Sequence, residues 1–254
     1  MNHYTVITDL FEINRRLFHD LWHITPVTGC PDGLSPRLIL PKKRDADVRI
    51  SEQEARFLYC SSLNLLNYFY SVETPTDQTY VQTGKKPQSA SSDLSLYTFE
   101  SEFKKCANVE FKAHNVSYEQ IRKDIEKLVR EGRPKKNKDI EKPDRESRPK
   151  NWVHGNWVHV LKNVDSKTLV GLFEKFRKSL SAVLSKERNL SVSILFSFCI
   201  IEKRWGCIKY FDLKALEAAP DNYIDDFFKL SYSVKKGQVV EDNSNGWEII
   251  KQKV

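Results

Sequence analysis

Glycine is scarce in this chain of 254 residues, which has only nine. None of them have the spacing of a dinucleotide-binding glycine loop, and Gly84-Lys85 lacks the upstream glycine of a phosphate-binding P-loop. A G-x-S-x-G sequence is also absent, which argues against the nucleophile elbow of the serine hydrolases. The chemistry of this chain therefore has to be sought in charged side chains.

Cysteine pairs and long apolar runs are scarce as well. The five cysteines are odd in number and none form a C-x-x-C pair, which predicts reduced thiols in a cytoplasmic protein. No apolar run approaches the roughly 20 residues of a membrane-spanning helix, and the opening residues MNHYTVITDLFEINRR lack a signal-peptide pattern. We expect a soluble protein without membrane association.

Positive charge is what the chain has in excess. Its 41 lysines and arginines against 34 acids give a net charge of +7, which favours an anionic partner, with nucleic acid the leading candidate. Residues 132–150 combine eight basic residues with four acids and three prolines, which predicts a mobile insertion. The insertion either lies along phosphates or is a solvated linker. The same two interpretations apply to a second basic group, Lys42–Arg44.

The most informative segment is 92–114, SDLSLYTFESEFKKCANVEFKAH. It predicts two β-strands joined by a polar connector. Alternation in the second strand puts Glu110 and Lys112 on one face, about 6.6 Å apart, and Val109 and Phe111 on the other.

Antiparallel pairing of these strands brings two acids together. If the hairpin closes near residues 101–102, Asp93 lies opposite Glu110, with Cβ atoms about 5 Å apart. Like charges directly opposite each other are destabilising unless they are neutralised, and a divalent cation held by oxygen ligands would neutralise them beside Lys112. Removing either acid should then leave the stability of the metal-free protein unchanged or raise it.

This arrangement resembles the PD-(D/E)xK, or restriction-endonuclease-like, nuclease superfamily. There the first acid and the glutamate of the E-x-K triplet hold magnesium, and the lysine helps to position and activate the attacking water. The resemblance carries these roles to Asp93, Glu110 and Lys112. The sequence departs from the family pattern at Ser92, where that pattern has a proline.

The triplet alone is a weak signal, because an acid followed two residues later by a lysine occurs four times: Glu102/Lys104, Glu110/Lys112, Asp165/Lys167 and Asp212/Lys214. The second pair differs from the others because it lies in an apolar, strand-like run with an acid-led strand upstream. The alternative is a half-exposed hairpin with a surface ion pair.

A capping-box spacing at Ser51 and Glu54 predicts a helix from 51 to about 68. Its apolar residues follow at helical intervals: Ala55, Leu58, Leu65, Leu66 and Phe69. The superfamily often places a helix glutamate beside the metal site, which implies Glu54, with Glu52 in reserve. The alternative is that Glu54 bonds back to the Ser51 amide as a cap.

Further elements follow from periodicity and capping signals. We predict a strand that ends at Pro75, a helix from Ser117 to Gly132, a strand at 157–164 and a helix from Asp165 to about Lys186. An amphipathic helix is predicted at 9–24, paired strands at 191–201 and 207–213, and a terminal hairpin at 239–250 around Asn245-Gly246.

The order helix, strand, strand, strand, helix, strand over about 51–164 matches the core of the superfamily. The resemblance implies an α/β fold, with a restriction-endonuclease-like mixed β-sheet core flanked by helices. Residues 190–254 would add extra C-terminal strands, and the whole chain would form a single domain.

Histidines offer weaker candidates. His154 and His159 belong to the repeat NWVHGNWVH, which suggests either base stacking or, more commonly, core packing. They would face opposite ways on a strand and could not share a metal. His114 would lie on the face of Glu110 and Lys112, although a histidine at a strand end is usually a surface residue.

The resemblance implies a metal-dependent nuclease that hydrolyses phosphodiester bonds, with DNA as the expected substrate and restriction, defence or repair as the expected role. Asp93 and Glu110 would hold Mg²⁺ or Mn²⁺, Lys112 would hold the attacking water, and Glu54 would complete the metal shell. Enzymes of this fold often act as homodimers. The alternatives are an RNA-directed nuclease and a non-catalytic module that binds nucleic acid or protein.

Overall fold

The computed structural model describes residues 3–23, 50–80, 88–132, 153–186, 193–212, 223–229, 231–235, 238–242 and 247–251. Its helices are α1 (His3–His23), α2 (Glu52–Leu63), α3 (Tyr118–Glu131), α4 (Ser166–Leu184) and α5 (Tyr223–Phe227). Its strands are β1 (Phe69–Tyr80), β2 (Gln88–Phe99), β3 (Phe103–Ala113), β4 (His154–Leu161), β5 (Ser193–Ile200), β6 (Trp205–Asp212), β7 (Ser231–Lys235), β8 (Gln238–Asp242) and β9 (Glu248–Lys251). None of the helices described is long and apolar enough to cross a membrane. Most of the predicted basic insertion (133–150) and Lys42–Arg44 lie outside the described residues.

Seven strands form one mixed sheet in the order β1-β2-β3-β4-β5-β6-β9. The β3–β4 and β4–β5 pairs are parallel, and the other neighbours are antiparallel. The parallel pairs are joined through α3 and α4, as a crossover connection requires. The fold is therefore mixed α/β, with helices flanking the sheet.

Helices cover both faces of this sheet. On one face α1 and α2 pack in a core cluster that includes Leu17, Tyr59 and Phe111. On the other face α3 and α4 pack in a second cluster that includes Ile125 and Phe176. Each strand of the sheet centre is thus buried on both sides, and polar side chains there need partners within the protein.

Most predicted elements are confirmed. The helix predicted from Ser117 is α3, which begins with a capping box at Ser117 and Gln120 and ends at the predicted C-cap Gly132. Asp165 is the N-cap of α4, where its side chain accepts a hydrogen bond from the Thr168 amide. The N-terminal helix and the β5–β6 pair are also present.

The predicted length of α2 is wrong, because the helix ends at Leu63 and a turn follows. Leu65 and Phe69 were predicted to face inward, but their side chains are 71% and 52% exposed. The chain instead buries Tyr68, whose hydroxyl donates to the Asp9 carboxylate at 2.6 Å. A tertiary contact with α1 has overridden the local helical spacing.

Two strand predictions are also wrong. The first strand does not end at Pro75: β1 continues to Tyr80 with a shift in register after Pro75, which an edge strand tolerates because its outer amides need no partner. The predicted terminal hairpin does not form, because β8 pairs with β7 and β9 pairs with β6. Its turn residues, 243–246, lie outside the described residues.

Gly206 in β6 lies directly against α1. A Cβ atom added there would lie 2.5 Å from Cδ2 of Phe18 and 3.1 Å from the carbonyl oxygen of Phe198. Phe18 is fully buried, so its ring cannot move without disturbing the helix. We expect Gly206→Ala to lower the free energy of unfolding by about 1–3 kcal/mol, measured by urea denaturation.

The matched control is Gly171→Ala in α4, where an added Cβ meets nothing within 4 Å. Alanine has the higher helix propensity, so this variant should gain up to about 1 kcal/mol. Equal stability of the two variants would contradict the close packing of α1 on β6.

Candidate functional site

The β2–β3 hairpin is irregular in its middle. Leu96 pairs with Ala107 but Tyr97 pairs with Lys105. Cys106 is therefore an extra residue in β3, a β-bulge that shifts the register by one position. The bulge decides which residues of the two strands face each other farther from the turn.

Beyond the bulge, Leu94 pairs with Val109, and the next step along both strands leads to Asp93 and Glu110. The predicted register is therefore confirmed at this end of the hairpin. Leu94 and Val109 lie in the core under α1 and α2, so alternation turns Asp93, Glu110 and Lys112 toward the opposite face, where α3 packs.

The Asp93 side chain bonds to β3 just beyond the last backbone pair of β2 and β3. Its Oδ2 accepts a hydrogen bond from the Phe111 backbone amide at 2.8 Å, in place of a ladder carbonyl. Its Oδ1 lies 3.9 Å from Nη2 of Arg56 in α2, a long contact that contributes little. The carboxylate is thus fixed beside β3 with one oxygen weakly paired.

Glu110 is the most deeply buried acid of the site, with 0% exposure. Its Oε2 accepts from the Lys127 ammonium at 2.8 Å, while its Oε1 is buried and has no hydrogen-bond partner in the part of the chain that the structure describes. Burial raises the pKa of Glu110, an effect that Lys127 opposes and that Asp93 and Asp124 increase.

Lys112 lies near the end of β3, with its ammonium donating to the Phe111 carbonyl at 3.0 Å and pairing with Asp124 Oδ2 at 3.1 Å. Burial by itself would lower the pKa of Lys112. The surrounding carboxylates, Asp124 first among them, outweigh that effect and raise the pKa. Lys112 is therefore a cation, held in place by oxygen atoms.

Asp124 and Lys127 of α3 join Asp93, Glu110 and Lys112 in one charged cluster. Sequence reasoning missed both residues of α3. Asp124 Oδ1 pairs with Lys127 at 2.9 Å, so this acid bridges Lys127 and Lys112. Both residues lie beside the apolar stripe of α3, and Lys127 is only 7% exposed. A lysine on the buried side of an amphipathic helix was the available signal, since such a residue needs a partner inside the protein.

The predicted helix glutamate has a different environment. Glu54 accepts from the Ser51 backbone amide at 3.0 Å and also contacts the Ser51 hydroxyl, so the capping alternative is confirmed. No hydrogen bond or ion pair among the described residues joins Glu54 to Asp93, Glu110 or Lys112. A role at the site remains a prediction for Glu54.

Glu52, the reserve candidate, acts electrostatically on the charged cluster. Its carboxylate is among the groups that raise the pKa of Lys112. It opens α2, whose Arg56 reaches toward Asp93. The N-terminal turns of α2 therefore border the charged cluster from the side opposite α3.

His114 and His159 lie near the ends of β3 and β4, and His154 is the first residue of β4. His114 has a left-handed backbone (φ 63°) and its exposed ring contacts the Ile50 carbonyl. His159 is fully buried beside Trp157, and its Nε2–H donates to the His114 carbonyl at 2.6 Å. His154 is buried against the Ser193 hydroxyl. The core-packing alternative for His154 and His159 is therefore confirmed.

Burial lowers the pKa of His159 to about 4, below its ordinary value of about 6.5. The unfolded chain binds this proton first as the pH falls, so the neutral ring stabilises the fold fully above about pH 6.5. The contribution of the neutral His159 ring to the free energy of unfolding should fall by about 1.4 kcal/mol per pH unit between pH 6.5 and pH 4. The measurement is urea denaturation of the native protein and His159→Asn between pH 4 and 8. Their difference in stability should shrink at acid pH, and a constant difference would contradict this prediction.

The hard cation that the resemblance implies needs several oxygen ligands. No group of three or more His, Cys, Asp or Glu side chains among the described residues is arranged to hold a metal. The oxygens of Asp93 and Glu110 are of the type that magnesium prefers, and Glu110 Oε1 is a buried acceptor that no described residue pairs with. Asp93, Glu110 and the Phe111 carbonyl would supply oxygens to magnesium or manganese only after Lys127 leaves Glu110.

Comparisons with known proteins give little further information. No family model and no curated protein matches this chain. Among solved structures, the central domain of yeast acetyl-CoA carboxylase is similar over 93% of this chain and 41% of that chain, with 8% sequence identity and a TM-score of 0.30. A TM-score of this size carries no argument about fold or chemistry.

Proposed function

We propose that this protein is a metal-dependent nuclease of the PD-(D/E)xK type, with a restriction-endonuclease-like core from about residue 51 to 164. One observation carries the proposal: the β2–β3 register continues from the Leu94–Val109 pair to Asp93 and Glu110, with Lys112 two residues farther on, and Glu110 keeps one buried oxygen that has no hydrogen-bond partner among the described residues. A surface ion pair would leave these groups in water, whereas Glu110 has none of its surface exposed.

The order of elements supports the same proposal. A helix, three antiparallel strands, a second helix and a strand parallel to the third follow one another as α2, β1, β2, β3, α3 and β4. This order suits other α/β folds too, so the proposal depends on the hairpin rather than on topology.

Each residue would have a distinct role. Asp93, Glu110 and the Phe111 carbonyl would hold Mg²⁺ or Mn²⁺, which lowers the pKa of a bound water and neutralises charge that develops on a phosphate. Lys112 would orient the attacking water and the scissile phosphate through hydrogen bonds from its ammonium. Glu52 or Glu54 would complete the shell from α2.

We propose DNA as the substrate, because a net charge of +7 favours a polyanion. A cytoplasmic location and assembly as a homodimer belong to the same proposal. The test is incubation of the purified protein with duplex DNA, single-stranded DNA and RNA in Mg²⁺ or Mn²⁺, with EDTA and Glu110→Gln as controls. Cleavage that needs the metal and is lost in Glu110→Gln supports a nuclease, and cleavage of RNA alone would revise the substrate.

A non-catalytic module on the same fold is the second candidate, and Lys127 favours it. Its ammonium already contacts Glu110, Asp124 and the Ser91 carbonyl, so Glu110 and Asp124 have a cationic partner without a metal. Titration calorimetry with Mn²⁺ separates the two candidates. No heat of binding in the low-millimolar range would favour a module that binds nucleic acid or protein without cutting it.

A further inference from the structure

Lys127 is coordinated entirely by oxygen atoms of the protein. Its ammonium lies 2.8 Å from Glu110 Oε2, 2.9 Å from Asp124 Oδ1 and 3.0 Å from the Ser91 carbonyl oxygen. An ammonium has three N–H donors, so these three oxygens use all of them. The lysine is thereby bound as a resident cation would be, between β2, β3 and α3.

Within the charged cluster, Lys127 is the lysine that balances the charge of Glu110. Asp93, Glu110 and Asp124 supply three carboxylates, and Lys112 and Lys127 supply two ammonium groups. Lys112 contacts Asp124 and the Phe111 carbonyl. Glu110 depends on Lys127, its one ion-pair partner among the described residues.

We propose that Lys127 is the internal counter-ion of this acidic site and competes with a divalent cation for Glu110. The inference rests on the proposed function, since it concerns the same metal site. A metal ion on Glu110 and an ammonium 2.8 Å from one of its oxygens repel each other strongly at this depth. Metal binding therefore requires Lys127 to leave Glu110.

The released lysine keeps one partner in the structure and would gain another from a substrate. Asp124 belongs to the same helix, three residues earlier, and can remain paired with Lys127 as its chain turns away. A nucleic-acid phosphate offers the ammonium a new anionic contact. Polyanion and metal would then bind with positive coupling, because each favours the displaced lysine.

The test compares Mn²⁺ binding to the native protein and to Lys127→Met by titration calorimetry at constant pH and salt. Methionine keeps an unbranched chain without the charge, so the variant should bind Mn²⁺ at least about tenfold more tightly. The matched control is Lys105→Met, since Lys105 pairs with Glu131 at 3.3 Å across the same β3–α3 interface but touches neither Asp93 nor Glu110. Its Mn²⁺ affinity should equal that of the native protein.

The results distinguish failure of this inference from failure of the proposed function. Equal or weaker Mn²⁺ binding by Lys127→Met, with binding by the native protein intact, would overturn the inference and leave the metal site standing. Binding by Lys127→Met alone would support the counter-ion and contradict the nuclease. Binding by neither protein would overturn both. Circular dichroism checks that each variant is folded, and Lys127→Gln replaces Lys127→Met if the latter is not.

Discussion

Lys112→Ala should lower the rate of metal-dependent cleavage by about 10²–10⁴-fold, the usual effect of removing a residue that positions a water or stabilises developing charge. Its side chain is only 12% exposed, and its ammonium lies between the Phe111 carbonyl and Asp124, so no neighbouring surface lysine can replace it. The fold should survive, because Asp124 keeps its contact with Lys127 at 2.9 Å. Initial rates of cleavage in saturating Mg²⁺, for variant and native protein, give the ratio.

Lys104→Ala is the matched control for this measurement. Lys104 belongs to another acid-x-lysine triplet of the same hairpin, but it is half-exposed and pairs with Glu100 at 2.8 Å. Its removal should change the cleavage rate by less than about twofold, since exposed ion pairs contribute little. Equal losses in both variants would show that a general loss of positive charge, rather than the site, slows the reaction.

The hairpin could be predicted from sequence because its determinants are local. Strict alternation fixed the faces of Val109, Glu110 and Phe111, and the short connector limited the register. The bulge at Cys106 was not predicted, yet it shifts the β2–β3 pairing by one residue and brings Asp93 into line with Glu110. A hydrophobic pattern cannot distinguish a hairpin with a short turn and no bulge from a hairpin whose turn is one residue longer and is followed by a compensating bulge.

The partners from the helices could not be predicted in the same way. Lys127 and Glu110 are 17 residues apart in sequence, and Arg56 reaches Asp93 from a helix on the other side of the sheet. Such contacts depend on how helices pack on strands, which periodicity does not encode. The predictions of a helix through Leu65 and of a terminal hairpin are wrong for the same reason. Contacts between residues far apart in sequence, Tyr68 with Asp9 and β9 with β6, determine the structure there.

The sequence alone predicts that removing an acid from this site is neutral or stabilising, because it provides only Lys112 to balance two carboxylates. The contact between Lys127 and Glu110 changes that expectation. Removing one member of a buried ion pair leaves the other charge without compensation. Glu110 would lie uncompensated in Lys127→Ala, and Lys127 would lose its shortest contact in Glu110→Ala.

We therefore expect Lys127→Ala and Glu110→Ala each to lower the free energy of unfolding by roughly 3 kcal/mol in metal-free buffer. The double variant Lys127→Met/Glu110→Leu replaces the pair by apolar side chains of similar size and should approach or exceed the native stability, because it removes both buried charges. Urea denaturation of the native protein, Lys127→Met, Glu110→Leu and this double variant gives the coupling energy of the pair. Additive losses would mean that the two groups do not interact in solution, and the counter-ion role of Lys127 would then have no energetic basis.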